Sequence, residues 1–300
     1  MSDAIELNLL GRRHEVGRPW LMGIVNATPD SFSDAGEHTT AEARVELART
    51  LVAEGSVVID IGGQSGITGV PEIDPAEEID RVMPVVAGVV AGTDALVSVD
   101  TYKPAVVRAV IEAGAAIVND VSGLLYPEVA EICASTGAGL VLMHNRSKPK
   151  QRLTDPMLYA DVVEDVVQFI EEKMEIAVGL GVPESSIIID PGPDFSKTPF
   201  QTIVALRGID RILALGRPVL LALSRKDFIG ALTKRAPRDR LAGTLAAVGS
   251  LLEHPGLILR VHDVAPVADF IRVADVLAGR IEVAEDLELP VELRRQKKVG

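Results

Sequence analysis

Eight short apolar runs, each ending in polar residues or glycine, recur along the chain and are mostly followed by an amphipathic stretch. The runs are Trp20–Val25, Val57–Ile61, Ala95–Val99, Ala116–Val118, Gly139–Met143, Ile187–Ile189, Val219–Leu223 and Leu257–Val261. Apolar residues at three- and four-residue spacing predict helices at Ala41–Glu54, Pro75–Val90, Pro104–Ala113 and Asp161–Leu180. Strands that alternate with helices form parallel sheets with right-handed crossovers, and an eightfold set in roughly 250 residues is typical of a closed barrel. The sequence therefore predicts an α/β fold, a (β/α)8 TIM barrel. An open doubly wound sheet is the alternative, although no GxGxxG follows the first run.

The ends of the chain lie outside this repeat. Residues 5–10 and 14–16 predict a short hairpin within residues 1–19, placed to close the bottom of the barrel. Asp74 before Pro75 predicts a helix N-cap. Residues 281–300 read as a C-terminal tail, with a basic, solvated end at Arg294–Lys298. No linker divides the chain, so residues 1–300 are expected to form one domain.

Composition excludes several classes of protein. The net charge of −13 and the pI near 4.9 argue against nucleic-acid or anionic-membrane partners, which require a basic face. The N-terminus lacks a signal-peptide pattern, and no run of about 18 apolar residues is present. Cys133 is the one cysteine, so neither an intrachain disulfide nor a Cys-rich zinc site can form, and its apolar helical context predicts a buried structural thiol. We expect a cytoplasmic protein.

Polar side chains lie at or near the end of each apolar run, the end where barrel enzymes place their chemistry. They are Asn26, Asp60, Asp100, Asn119, His144, Asp190, Lys226, Arg260 and His262. Carboxylates and carboxamides can recognise the N–H donors and acceptors of an aminopyrimidinone, while Lys and Arg can stack over a flat ring or bind an anion. Neither a GxSxG motif nor an HExxH motif is evident. The set therefore predicts a site for a flat heterocycle and a phosphate, with Asp60 in a structural role inside the barrel mouth.

Seven segments carry a resemblance to a known family. They are Leu21–Asp34 (LMGIVNATPDSFSD), Val58–Gly63, Ser98–Tyr102, Ile117–Gly123, Asp190–Gly192, Ser224–Lys226 and Arg260–Asp263. In their order along the chain and in their amino-acid sequences, these segments resemble the motifs of dihydropteroate synthases, the folate-pathway transferases that sulfonamides inhibit. The resemblance implies a TIM barrel, a homodimer, and the joining of 6-hydroxymethyl-7,8-dihydropterin diphosphate to 4-aminobenzoate with release of diphosphate.

The resemblance also implies roles for individual residues. The pterin site would comprise Asp100, Asn119, Val121, Met143, Asp190, Lys226 and Arg260, with Arg260 stacked on the ring. Asn26, Arg260 and His262 would contact the diphosphate, and Asn26 would also lie beside Mg²⁺. Asp100, Lys226 and Asn26 would be catalytic, with the Asp100 carboxylate stabilising a cationic pterin methylene. For Lys226, a surface lysine at a helix start is the weaker alternative.

Two loops depart from the family pattern on the 4-aminobenzoate side. Gln64-Ser65-Gly66-Ile67-Thr68-Gly69 replaces Glu-Ser-Thr-Arg-Pro-Gly, and residues 192–197 replace Gly-x-Gly-Phe-Gly-Lys. The 4-aminobenzoate site would comprise Gly66, Ile67, Thr68, Phe195, Lys226 and Asp227. Isoleucine supplies no guanidinium, and Asp227 would repel a carboxylate unless it caps the following helix.

Three hypotheses accommodate these departures. The first is a working dihydropteroate synthase, whose changed loop could exclude sulfonamides while admitting the substrate. The second is a pterin-binding transferase with another acceptor, for instance a methyltetrahydrofolate-type methyltransferase domain, which the complete first motif and Ser224–Lys226 disfavour. The third is a non-catalytic pterin-binding paralogue. The first is preferred.

Overall fold

The computed structural model describes residues 4–28, 40–66 and 69–294. Its strands are β1 (Ile5–Leu9), β2 (Arg12–Val16), β3 (Trp20–Asn26), β4 (Ser56–Gly62), β5 (Leu96–Asp100), β6 (Ile117–Asp120), β7 (Gly139–Met143), β8 (Ile187–Asp190), β9 (Val219–Leu221) and β10 (Leu257–Val261). Its helices are α1 (Ala41–Ala53), α2 (Pro75–Gly92), α3 (Pro104–Glu112), α4 (Glu128–Thr136), α5 (Val162–Gly179), α6 (Pro199–Arg207), α7 (Ile209–Leu213), α8 (Asp227–Thr233), α9 (Leu241–Gly249) and α10 (Val264–Leu277).

Strands β3 to β10 form one closed parallel barrel in chain order, with β10 pairing with β3. Strands β1 and β2 form a separate antiparallel hairpin. The (β/α)8 TIM barrel with an N-terminal hairpin is therefore confirmed, and the open sheet is excluded. All eight apolar runs coincide with barrel strands, although β9 ends at Leu221, two residues earlier than its run.

Side chains alternate between the two faces of each barrel strand, because the pleat has a period of two residues. On β7, Leu140 and Leu142 pack outward into the main apolar cluster with the helices, whereas Val141 packs into the barrel interior. On β8, Ile187 and Ile189 likewise face outward and Ile188 faces inward. This alternation decides which strand-end side chains can reach the barrel mouth.

The hairpin closes the end of the barrel opposite that mouth. Leu7, Leu9 and Val16 are buried in the same apolar cluster as the inward residues of the barrel strands. The Leu10 amide donates to the carbonyl of Gly137, just before β7, at 2.7 Å. The predicted position of the hairpin at the barrel bottom is confirmed.

Local expectations have mixed outcomes. Asp74 is the N-cap of α2 and Pro75 opens the helix, but the Asp74 side chain makes no capping hydrogen bond. Cys133 is buried as expected, and burial raises the pKa of its thiol to about 12. No helix within residues 4–28, 40–66 and 69–294 is long and apolar enough to cross a membrane.

Candidate functional site

A cavity of about 270 Å³ lies at the carboxyl ends of the barrel strands; we call it the strand-end cavity. All nine residues predicted for the pterin and the diphosphate line it: Asn26, Asp100, Asn119, Val121, Met143, Asp190, Lys226, Arg260 and His262. These residues come from seven strands or their ends, so the closure of the barrel brings them together. The alternation of side chains along each strand explains why most of these residues face the cavity. Met143, Asp190 and Arg260, for example, each lie two residues beyond an inward apolar residue.

Asp60 is fully buried and organises the floor of this cavity. One carboxylate oxygen accepts from the Ser98 hydroxyl at 2.6 Å. The other accepts from Arg260 Nε at 2.6 Å and from Asn119 Nδ2 at 3.3 Å. The structural role predicted for Asp60 therefore consists of orienting two cavity residues.

Asn119 and Asp190 present acceptors toward the cavity. Because Asn119 donates its Nδ2 to Asp60, its Oδ1 is oriented away, and this buried oxygen has no hydrogen-bond partner among the described residues. Asp190 uses Oδ1 to accept from the Gly192 amide at 2.7 Å. Burial raises the pKa of Asp190 to about 6. Asn119 Oδ1, which has no partner among the described residues, and the Asp190 carboxylate together suit a ligand that carries N–H donors.

Asp100 and Arg260 form the charged rim of the cavity. Arg260 Nη2 lies 3.2 Å from Asp100 Oδ2, while Arg260 Nε is held by Asp60. Burial raises the pKa of Asp100 to about 7, against the opposing effect of the Arg260 charge. Burial alone would lower the pKa of Arg260, but the carboxylates of Asp60 and Asp100 outweigh it and raise the pKa.

Lys226 projects from a strained turn between β9 and α8. Arg225 has a left-handed φ of 61°, and its guanidinium is fixed by two hydrogen bonds to Asp263, at 2.8 and 3.2 Å. Lys226 Nζ donates to the Pro193 carbonyl at 2.9 Å and lies 4.7 Å from the centre of the Phe195 ring. Burial lowers the pKa of Lys226. Lys226 is thus a cavity residue, and the surface-lysine alternative is wrong.

His262 and Asn26 complete the side of the cavity expected to face a diphosphate. His262 Nδ1 lies 3.0 Å from the Ser224 hydroxyl, and burial lowers the pKa of His262 to about 3. His262 is therefore a neutral imidazole at physiological pH. Asn26 supplies a carboxamide, whose oxygen is an acceptable Mg²⁺ ligand. In the described part of the chain, no three His, Cys, Asp or Glu side chains are grouped to hold a metal ion.

His144 follows β7 but does not face the cavity, so its inclusion among the strand-end set is wrong. It comes directly after the inward residue Met143 and therefore faces α5. His144 Nε2 lies 2.8 Å from Asp165 and Nδ1 lies 2.7 Å from Lys197 Nζ. Burial lowers the pKa of His144 to about 4 and that of Lys197 to about 7. Lys197 also donates to the carbonyls of Gly192 and Phe195, both at 3.1 Å, and so anchors the β8–α6 loop.

A second cavity of about 350 Å³ adjoins the first on the loop side; we call it the loop-side cavity. Gly66, Phe195 and Lys226 line both cavities. Asp227 and Arg152 line only the second. Of the residues predicted for 4-aminobenzoate, Gly66, Phe195, Lys226 and Asp227 are brought together here, and Ile67 and Thr68 lie outside the described residues.

Asp227 does not cap α8, so that expectation is wrong. Lys226 occupies the N-cap position, and Asp227 is the first helical residue. The Asp227 amide instead donates to Asp194 Oδ2 at 2.5 Å. Its carboxylate accepts from Arg240 Nη1 at 3.1 Å, which offsets the negative charge predicted to repel an acceptor.

Several functional residues escape the sequence reasoning. Ser98, which holds Asp60, lies two residues before Asp100 and could have been found from strand alternation. Gln64 lines the strand-end cavity, and its amide accepts from Lys103 Nζ at 3.1 Å and donates to the Tyr102 hydroxyl at 3.0 Å. No local signal in the sequence indicates Arg152, because the long β7–α5 connection carries it to the cavity.

The chain is similar to known proteins over most of its length. The family model described as pterin binding enzyme matches residues 22–262. The dihydropteroate synthase of Streptococcus pyogenes serotype M6 is 39% identical over 267 residues, covering 87% of this chain and 96% of the relative. The dihydropteroate synthase of Xanthomonas albilineans with 4-aminobenzoic acid is 40% identical and superposes with a TM-score of 0.83, over 93% of this chain and 99% of that one. The same enzyme in complex with 7,8-dihydropteroate is also 40% identical, with a TM-score of 0.79 over 90% and 98% of the two chains. The chain belongs to the dihydropteroate synthase family of pterin-binding enzymes.

Proposed function

We propose that this protein condenses 6-hydroxymethyl-7,8-dihydropterin diphosphate with 4-aminobenzoate, giving 7,8-dihydropteroate and diphosphate. The observation that carries the proposal is the convergence of Asp100, Asn119, Asp190, Lys226 and Arg260 on one cavity at the strand ends. The relatives named above are dihydropteroate synthases, and one is solved with the product of this reaction.

The strand-end cavity suits the pterin. Asn119 Oδ1, which has no partner among the described residues, and the Asp190 carboxylate would accept from the ring N–H groups. Arg260, fixed by Asp60 and Asp100, would stack on the ring. Val121 and Met143 supply apolar walls.

The reaction needs stabilisation of charge rather than a nucleophile. The bond from the pterin methylene to the diphosphate oxygen breaks, the methylene gains cationic character, and the arylamine nitrogen forms the new bond and loses a proton. The Asp100 carboxylate at the cavity rim would stabilise the cationic methylene. Lys226 and Arg260 would offset the charge of the departing diphosphate, and His262, being neutral, would contact it as an N–H donor.

The donor set fits Mg²⁺ that arrives with the diphosphate. Mg²⁺ usually retains waters and binds one or two protein groups together with substrate phosphates, so one carboxamide can serve where the described residues hold no cluster of metal-ligating side chains. Asn26 would hold the ion. When bound, Mg²⁺ supplies charge neutralisation at the leaving group.

The acceptor would occupy the junction of the two cavities. Phe195 and Lys226 line both cavities, so an aromatic ring against Phe195 would direct its amine toward the strand-end cavity. The second loop, which follows β4, leaves open space at this junction, because a Cβ added at Gly66 would meet no described atom within 4 Å. Two ordered walls would hold the amine near the methylene.

The test is the formation of 7,8-dihydropteroate from the two substrates with Mg²⁺, measured by chromatography beside diphosphate release. We expect the product and diphosphate in equal amounts, and both should require 4-aminobenzoate. Diphosphate release without this product would support a transferase with another acceptor. Binding of the pterin with neither product would support the non-catalytic paralogue.

Sulfonamide tolerance is a separate proposal, supported by the changed second loop that begins at Gln64. Sulfonamides extend beyond the volume they share with 4-aminobenzoate, so an altered wall can exclude them and still admit the substrate. We expect the inhibition constant of sulfamethoxazole to exceed the KM for 4-aminobenzoate at least tenfold. Equal constants would contradict the proposal.

The homodimer and the cytoplasmic location remain predictions. Light scattering should give twice the chain mass of 31.9 kDa if the dimer forms. A mass equal to that of one chain would contradict it. Cell fractionation tests the location.

A further inference from the structure

We infer that Arg152, on the β7–α5 connection, binds the carboxylate of the acceptor and replaces the cation that the second loop lacks. This inference rests on the proposed function, because it names the residue that recognises one end of the proposed acceptor. Sequence comparison with the family pattern points elsewhere, to Gly66, Ile67, Thr68 and Asp227.

Four cationic side chains line the loop-side cavity: Arg152, Lys197, Arg225 and Lys226. Three of them are already engaged. Lys197 Nζ contacts His144 and two loop carbonyls, Arg225 makes two hydrogen bonds to Asp263, and Lys226 donates to the Pro193 carbonyl. Arg152 differs, because its ion pair among the described residues is a long one of 3.8 Å to Asp227, and its side chain is 67% exposed. It is therefore the cation most available to an anion that enters.

The acidic side chains of the same cavity do not oppose such an anion as strongly as their charges indicate. Asp227 is paired with Arg240 at 3.1 Å. Asp194 accepts from the Asp227 amide and from the Thr202 hydroxyl, at 2.5 and 3.2 Å. Each carboxylate is thus directed toward another donor of the protein. The positive charge of Arg152 is therefore largely available to a ligand.

The backbone that carries Arg152 is held against both neighbouring loops. The Lys150 carbonyl accepts from the Gly69 amide at 3.1 Å, and Lys150 Nζ donates to the Ser65 carbonyl. The Ser147 amide donates to the Ser196 hydroxyl at 2.9 Å, and the Ser147 hydroxyl donates to the Gln151 carbonyl at 3.1 Å. Arg152 therefore extends from an anchored segment, so less ordering is required when it binds an anion.

The position of Arg152 suits the carboxylate end of the acceptor. Phe195 and Lys226 line both cavities, whereas Arg152 lines only the outer, loop-side cavity. With the amine directed inward, the para carboxylate would point outward, toward Arg152. A guanidinium binds a carboxylate through two parallel N–H donors, a stronger contact than a neutral hydrogen bond.

The kinetic test compares Arg152→Gln and Arg152→Lys with the wild type, using 4-aminobenzoate and the neutral 4-aminobenzamide as acceptors. For Arg152→Gln we expect the KM for 4-aminobenzoate to rise about tenfold, and that for 4-aminobenzamide to change less than twofold. Arg152→Lys should recover part of the loss, and the KM for the pterin diphosphate should be unchanged. Arg108→Gln is the control for net charge, because Arg108 is exposed on α3 and lines neither cavity. Equal effects on the two acceptors would overturn the inference.

A binding measurement separates this inference from the proposed function. Calorimetry measures the affinities for pteroic acid, which carries the carboxylate, and for 6-hydroxymethylpterin, which lacks it. Neither measurement requires turnover. We expect Arg152→Gln to weaken pteroic acid about tenfold and to leave 6-hydroxymethylpterin unchanged. If the wild type forms no dihydropteroate but shows this difference, the proposed function fails and the inference holds. If turnover is normal and pteroic acid binding does not depend on Arg152, the inference fails and the proposed function holds.

Discussion

The two cavities of this protein are built in different ways. The strand-end cavity takes its polar groups from barrel strands, and buried hydrogen bonds such as those of Asp60 to Ser98 and Arg260 fix them. The loop-side cavity takes its groups from connections, where Lys150, Asp194 and Ser196 adopt left-handed backbone angles of 64°, 64° and 49°. The departures from the family pattern fall on the loops, because loops tolerate substitution more readily than a barrel interior does.

This difference implies that substitutions in the two cavities affect different properties of the protein. A change at the strand ends disturbs the pterin and the chemistry together, because the same residues serve both. A change on the loops alters acceptor recognition and leaves the pterin in place. Four substitutions or titrations would sharpen or break this comparison.

The largest effect is expected for Asp100→Asn. Loss of the carboxylate removes the charge that stabilises the cationic methylene, so kcat/KM should fall about 10²- to 10³-fold. Steady-state dihydropteroate formation measures the change, with the exposed Asp94→Asn as control. A decrease below fivefold in a folded variant would show that Asp100 is not part of the chemistry.

Asp60→Asn tests the rigidity of the strand-end cavity. The neutral amide leaves Arg260 with one carboxylate fewer in a buried setting, so the free energy of unfolding should fall by about 3 kcal/mol. Urea denaturation followed by circular dichroism gives the value. A loss under about 1 kcal/mol would mean that the Asp60 network is not what fixes this cavity.

Asp190 should make pterin binding depend on pH. Its pKa is raised to about 6, so the carboxylate is ionised above this pH and increasingly protonated below it. Affinity for 6-hydroxymethylpterin should fall toward tenfold per pH unit below pH 6, where Asp190 becomes protonated, whereas Asp100, whose pKa is raised to about 7, titrates above that range. Asp190→Asn should bind more weakly and remove the dependence. Calorimetry from pH 5 to 8 measures both, and an unchanged slope in the variant would assign the titration to another group.

Lys197→Met should have the smallest effect and confine it to the loop side. The variant loses the hydrogen bonds to the carbonyls of Gly192 and Phe195, which loosens the loop that carries Phe195. The KM for 4-aminobenzoate should rise about threefold to tenfold, with pterin affinity changed less than twofold. Pterin affinity that fell equally would show that the two cavities are not independent.

The alternation of strands with helices made the barrel predictable, and the positions of polar residues at the strand ends made most of the site predictable. Apolar runs and helical spacing are local signals, and eight repeats permit few topologies. Polar residues at or just after the ends of the runs identified Asn119, Asp190 and Arg260. His144 was misplaced because the residue after the run was included without regard to the alternation of side chains, which turns His144 toward α5.

Loop geometry could not be predicted in the same way. Asp227 was predicted to cap α8. Instead, Asp194, which lies more than thirty residues earlier in the chain, accepts a hydrogen bond from the Asp227 amide. Arg152 reaches the loop-side cavity through contacts of its connection with Ser196 and Gly69. Such placements depend on pairings between distant segments, for which the local sequence has no periodic signal.

The most direct test of the account is a crystal structure of the protein with 7,8-dihydropteroate, because the product spans both cavities. We predict the pterin ring within hydrogen-bond distance of Asn119 Oδ1 and Asp190, the aryl ring against Phe195, and the carboxylate at Arg152. A pterin bound outside the strand-end cavity, or a product bound in the reverse direction, would contradict the account.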